Sequence, residues 1–119
     1  MKIGIVTDDG TTVSSHFGLA RHYLVVEAED GVVKGRELRQ KPFNQAVPGV
    51  ARHLGMGGPH LLSGAGDCEA LVARGMGRPM YENIRRAGSK PYLTKMARID
   101  DVVRAYLAGH LDDHPDVLH

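Results

Sequence analysis

The stretch from Cys68 to Pro79 constrains the fold more than any other part of the sequence. Its residues 69–73 form a short apolar run typical of a buried strand, which leads into the turn Gly75-Met76-Gly77 and a helix starting at Arg78 or Pro79. A strand that passes through a glycine turn into a helix is the basic unit of α/β proteins. Such a junction can bind a ligand, because glycines allow close approach and the first helical N–H groups point outward. The alternative is an ordinary strand-to-helix connection without a ligand.

The rest of the pattern predicts a single α/β domain with a mixed sheet of about five strands. The other strands are predicted at residues 1–7, 22–28, 32–38 and 90–94. Asp30-Gly31 favours an antiparallel hairpin between the second and third strands, and the crossovers make the first, fourth and fifth strands parallel. Helices are predicted at 78–87 and, from apolar residues at helical spacing, from Ile99 to Leu107, with Gly109 closing the second.

The middle and the end of the chain are less regular. Pro and Gly interrupt residues 39–58 so often that no long helix fits, and a short helix is predicted to begin near Pro59. Long loops inside compact domains are usually functional or disordered, and this region carries His53 and His60. We expect a domain over residues 1–111 and a polar, loosely ordered tail over 112–119.

Composition excludes several classes of function. Fifteen Lys and Arg against fourteen Asp and Glu leave a net charge of +1 without a basic stripe, so we expect no nucleic-acid partner. No apolar run approaches the roughly 18 residues of a membrane span, so we expect no membrane association. One cysteine cannot form an internal disulfide, which suits a cytoplasmic protein.

A second candidate site follows the first strand, in Ser15-His16-Phe17-Gly18. One interpretation makes His16 a ligand or an acid/base group at the end of the strand. The other has Phe17 anchoring the loop while His16 hydrogen-bonds the backbone, as most polar loop residues do.

These motifs together resemble the dinitrogenase iron–molybdenum cofactor biosynthesis family. The resemblance runs from Met1 to about Leu111 through the Ser15–Gly18 loop, the hairpin, the strand that ends in Gly75–Gly77, and the run Ala105–Gly109. It implies a ribonuclease-H-like α/β fold. It also implies a role in carrying or inserting an iron–sulfur or iron–molybdenum cluster, with donor and recipient proteins as partners.

The resemblance places the ligand region at the loop after the first strand and at the glycine turn after the fourth. The cofactor-binding candidates are accordingly His16, Gly75, Met76, Gly77 and Arg78, and the metal-binding candidates are His16, His53, His60 and Cys68. The chain departs from the family in lacking a dense His or Cys tract over residues 46–52. A lone cysteine cannot hold a four-cysteine cluster, and a lone cysteine that opens a buried strand, as Cys68 does, is more often a small core residue.

We therefore predict a non-enzymatic binding or carrier protein for such a cluster. The alternative is a small-anion or nucleotide-binding regulatory module that uses the same helix entry and no metal. A two-metal nuclease fits less well, because the fourth strand ends without an acid and Asp8 and Asp9 suit a turn. No Gly-x-Ser-x-Gly elbow or Walker motif is present. The sequence leaves the oligomeric state open.

Overall fold

The computed structural model of the chain describes residues 1–41 and 65–118. The helix predicted near Pro59 and the candidate ligands His53 and His60 lie outside the described residues. Within the described part, no helix is long and apolar enough to cross a membrane.

Five strands form one mixed sheet with the order β3-β2-β1-β4-β5. The strands are β1 (Lys2–Thr7), β2 (His22–Glu29), β3 (Val32–Gln40), β4 (Ala70–Ala73) and β5 (Lys90–Leu93). β1 runs parallel to β4 and β4 parallel to β5, whereas β2 is antiparallel to both β1 and β3. The predicted single α/β domain, its hairpin and its three parallel strands are confirmed, while the ribonuclease-H-like label stays a prediction.

In the described residues, two helices cover the two faces of this sheet. Helix α1 (Arg78–Arg86) follows β4, and helix α2 (Ile99–Leu107) follows β5. Gly88 and Gly109 end the helices with φ of +91° and +77°, a left-handed geometry that favours glycine. Both helices lie where the sequence predicts them.

Side chains alternate between the two faces, so each helix packs on its own apolar layer. The α1 face carries a core that includes Val6, Tyr23, Leu71, Met76 and Ile84. The α2 face carries a second core around alternate residues of β1 and β2 and three buried residues of α2. β1 is buried over most of its length because it lies in the middle of the sheet.

Position 4 on β1 must be glycine, because two side chains approach its backbone closely. A Cβ built at Gly4 would lie 2.7 Å from Leu71 Cδ2 and 3.3 Å from Cys68 Sγ. These side chains fill the space that a larger residue would need, and therefore Cys68 is an integral part of the packing on the α1 face.

The expectation of a loosely ordered tail is wrong for residues 112–118. The backbone N–H of Leu93 donates to Asp113 Oδ1 at 3.0 Å, and the N–H of His114 donates to the Leu93 carbonyl at 2.8 Å. These bonds cap the free edge of β5, and Val117 and Leu118 pack against the α1-face core. Side-chain hydrogen bonds to backbone fix this polar segment, which apolar periodicity does not reveal. The division of the chain at residue 111 stays a prediction.

Asp112 holds the tail to the end of β5. Its carboxylate accepts hydrogen bonds from the Thr94 hydroxyl and from the Lys95 N–H at 2.9 Å, and its Oδ2 lies 2.9 Å from His114 Nε2. Partial burial on its own would raise the pKa of Asp112, but the hydrogen bonds outweigh burial and lower that pKa below its ordinary value.

We expect Asp112→Ala to lower the free energy of unfolding by about 1–3 kcal/mol, since three hydrogen bonds are lost. A carboxylate with a lowered pKa stabilises the fold above its ordinary pKa and ceases to do so as the pH falls through the lowered value. Urea unfolding and hydrogen exchange at the Lys95 amide measure both effects. The control is Asp116→Ala, an exposed residue of the turn Pro115–Val117, expected within about 0.5 kcal/mol of wild type. Equal effects of the two variants would contradict the prediction.

Candidate functional site

The carboxyl ends of β1, β4 and β5 meet at one end of the sheet, here called the carboxyl edge. Open α/β sheets bind ligands at this end, because the loops that follow the strands gather there. Two backbone hydrogen bonds join the loop after β1 to the turn after β4. The Arg74 N–H donates to the Ser14 carbonyl at 3.0 Å, and the Phe17 N–H donates to the Gly75 carbonyl at 2.9 Å. The two regions that the sequence predicts as a site are therefore adjacent.

The loop after β1 is shaped by Asp9. Its carboxylate accepts hydrogen bonds from the N–H groups of Thr11 and Thr12 at 2.9 and 2.8 Å and from the Thr12 hydroxyl. The backbone bonds from Thr12 and Thr11 are the main reason that the pKa of Asp9 falls to about 2. Asp8 likewise accepts the N–H of Arg21 at 3.0 Å. Asp9 thus serves the turn, as predicted, whereas Asp8 ties the end of β1 to the residue before β2.

His16 is held through its backbone at the carboxyl edge. Its N–H donates to the Ser14 hydroxyl oxygen at 3.3 Å, and its carbonyl accepts the Ala20 N–H at 3.2 Å. The residue is exposed. The loop therefore fixes the place of His16 at this edge.

Phe17 anchors this loop, as one of the two interpretations of the motif predicts, while the role of the His16 side chain stays a prediction. The residue is fully buried, and its ring meets Tyr23 edge-on with 6.0 Å between centroids. Since the Phe17 N–H also bonds to Gly75, one residue ties His16 both to the core and to the glycine turn.

The N-terminus of helix α1 has no side-chain cap for its first backbone N–H groups. Gly77 is the N-cap residue in an extended conformation, and no side chain caps the helix. The positive end of the helix dipole therefore has no side-chain acceptor within the described residues. Arg74 and Arg78 are exposed on either side of the turn, whereas Met76 is 1% exposed and packs in the α1-face core.

Lys41 also lies at the carboxyl edge, and the sequence does not single it out. It is 5% exposed, its Nζ lies 5.3 Å from the centroid of the Phe17 ring, and its N–H donates to the Arg21 carbonyl at 2.9 Å. Burial lowers the pKa of its ammonium. The sequence shows Lys41 only as the residue before a proline, and nothing in its spacing predicts burial.

This arrangement matches a known family. The family model described as dinitrogenase iron-molybdenum cofactor matches residues 1–109. The chain belongs to this family. The resemblance given by the motifs is confirmed, and membership points to a carrier or binding role related to the nitrogenase cofactor.

Individual relatives agree over nearly the whole chain. The uncharacterized protein MJ0580 of Methanocaldococcus jannaschii is 26% identical over 112 residues, which are 94% of this chain and 90% of that protein. The crystal structure of PH0822 has a TM-score of 0.70 at 26% identity and covers 98% of each chain. The apo form of the orange protein from Desulfovibrio gigas has a TM-score of 0.66 at 18% identity, covering 96% and 92%. The last likeness shows the fold alone.

The candidate metal ligands do not all share the carboxyl edge. Cys68 precedes β4, so it lies at the opposite end of that strand from Gly75 and thus from His16. Cys68 is 3% exposed, and burial is the main reason that its thiol pKa rises to about 11. Among residues 1–41 and 65–118, no three His, Cys, Asp or Glu side chains form a group that could hold a metal ion. His53 and His60 fall outside those ranges.

Proposed function

We propose that this family member is a non-enzymatic carrier that holds a preformed iron–sulfur or iron–molybdenum type cluster at the carboxyl edge. Its family membership supports a cofactor-related role. The observation that carries the site is the pair of backbone hydrogen bonds that place His16 beside the Gly75–Gly77 turn. A ribonuclease-H-like topology is part of the same proposal.

The chemistry of the carboxyl edge suits a cluster better than a bare metal ion. A protein that builds a cluster on bare iron usually supplies several thiolates. A preformed cluster brings its own sulfides and a negative charge, so it needs few anchors and several positive contacts. His16 offers one exchangeable ligand, while Arg74, Arg78 and the uncapped start of α1 offer positive charge.

A small number of strong bonds to the cluster also suits a carrier. A cluster held by one or two side-chain ligands, together with charge and backbone N–H groups, can be passed from a donor protein to a recipient. His53 and His60 are proposed as further ligands from the sequence, and Cys68 remains a separate candidate. No reaction on the cargo is needed, so the proposal involves no catalytic residue.

The test is anaerobic reconstitution with iron and sulfide, with and without molybdate, followed by absorption spectra and metal analysis. We expect wild type to take up a cluster and His16→Ala to lower the uptake. The combined variant with His16, His53 and His60 changed to alanine should lose it. His110→Ala is the control, because exposed His110 follows helix α2 outside the site. Absence of uptake by wild type, or full uptake by the combined variant, would overturn the proposal.

A small-anion or nucleotide-binding module is the second candidate, favoured by the uncapped N-terminus of α1 between two arginines. It predicts that phosphate or a nucleotide raises the melting temperature without metal. The carrier predicts no such metal-independent shift with nucleotides. The nuclease alternative receives no support, since the carboxylates of Asp8 and Asp9 already accept backbone N–H groups, from Arg21 and from the turn respectively.

A further inference from the structure

Lys41 carries a buried charge without a counterion in the described part of the chain. The side-chain contact recorded for Lys41 among the described residues is with the face of the Phe17 ring, 5.3 Å from Nζ, and the residue as a whole is 5% exposed. Burying a charge without a partner costs free energy, and the protein does not need it for packing, since methionine or leucine would fill similar space.

The position of Lys41 links it to the proposed site. Its ammonium lies over the ring of Phe17, and the backbone N–H of Phe17 donates to the Gly75 carbonyl in the turn before α1. The backbone of Lys41 is fixed to Arg21 at the start of β2, which lies beside the end of β1. The ammonium is therefore held on the carboxyl edge by neighbouring segments.

Several other positive charges lie near this edge. Arg21, Arg74 and Arg78 are exposed there, and the first turn of α1 adds partial positive charge. Opposing charge comes from Asp8 and Asp9 in the loop after β1 and from Asp112 and Asp113 beside the end of β5, and each of these carboxylates accepts hydrogen bonds from the protein. A multiply charged anion would match several cations together, whereas a single negative charge would leave most of them unmatched.

We propose that Lys41 Nζ contacts the bound cargo directly and that the site selects ligands carrying two or more negative charges. This inference rests on the proposed function, and it assigns the buried ammonium, rather than the exposed arginines, as the main charge contact. A charge contact in a buried position is stronger than one in water, because solvent screens it less.

The first experiment follows the side-chain nitrogen of Lys41 by NMR during titration with molybdate, a doubly charged probe. The Lys41 Nζ signal is expected to shift and saturate with molybdate and not with chloride at equal ionic strength. The signal of Lys34, which is exposed on β3, serves as the internal control. Equal shifts of both lysines, or no shift of Lys41, would overturn the inference.

The second experiment compares Lys41→Met, which removes the charge and keeps a similar stem, with Lys41→Arg and with Lys34→Met. Loss of a charge-assisted contact is expected to weaken molybdate binding by about tenfold to a hundredfold in Lys41→Met. Lys41→Arg should keep a substantial part of the affinity, and Lys34→Met should equal wild type. Far-ultraviolet circular dichroism and thermal unfolding confirm that each variant is folded. Equal affinity of Lys41→Met and wild type would overturn the inference.

The outcomes separate this inference from the proposed function. If wild type and Lys41→Met take up a cluster equally, Lys41 is not the charge contact and the carrier function stands. In a second case, wild type takes up no cluster, molybdate shifts the Lys41 Nζ signal, and Lys41→Met no longer binds molybdate. The charge contact then stands, and the small-anion module replaces the carrier.

Discussion

Replacement of Phe17 by alanine is expected to lower the free energy of unfolding by about 3–5 kcal/mol, the range for a buried phenylalanine. The ring is fully buried and contacts Tyr23, and it lies under the ammonium of Lys41. The free energy of unfolding of a small domain is only about 5–15 kcal/mol, so this variant would lose a large part of it. Urea unfolding measures the change.

Two further variants separate packing from the site. Leu19→Ala in the same loop is the matched control, since Leu19 is 64% exposed and its loss should change stability by less than about 0.5 kcal/mol. Phe17→Leu should keep most of the stability while removing the ring beneath Lys41, and we expect weaker cluster uptake from that folded variant. A Phe17→Ala protein as stable as Leu19→Ala would contradict the anchoring role of Phe17.

The fold could be predicted from local patterns because its elements are locally specified. Asp30 and Gly31 both have positive φ, as a tight hairpin turn requires, and these residues tolerate that geometry. Ile99, Val102 and Val103 are buried on one face of α2, which is the face that their spacing predicts. The strand bounds differ by one or two residues, where hydrogen bonding rather than side-chain type decides the end of a strand.

The candidate site was only partly predictable, because burial depends on contacts between distant segments. His16 and the Gly75–Gly77 turn could be named, since loops after parallel strands gather at one end of the sheet. The burial of Lys41 against Phe17 joins residues 24 positions apart, and no sequence period encodes it. The ordered tail was missed for the same reason, because Asp112 reaches back to Thr94 through a side chain.

These differences change where the charge of the site is expected to come from. The sequence directs attention to the exposed arginines at the start of α1, whereas the structure adds Lys41, a lysine that is 5% exposed. An exposed arginine contributes little because water and salt screen it, and a buried lysine contributes more per contact. A site of this kind should depend more on one buried residue than on several exposed ones.

Cys68 is expected to react with iodoacetamide at about pH 8 roughly a hundredfold more slowly than an exposed thiol, because only the thiolate reacts. Burial, and next the nearby Asp67 carboxylate, raise its pKa to about 11, so few molecules carry the thiolate at that pH. The thiol is also packed against Gly4 on β1. Mass spectrometry over time measures the rate, and protein unfolded in urea gives the matched control, expected to react at the ordinary rate. A fast reaction of the folded protein would show an accessible thiolate and would make Cys68 a credible cluster anchor. A slow one assigns it to the core and leaves the histidines and Lys41 to hold the cargo.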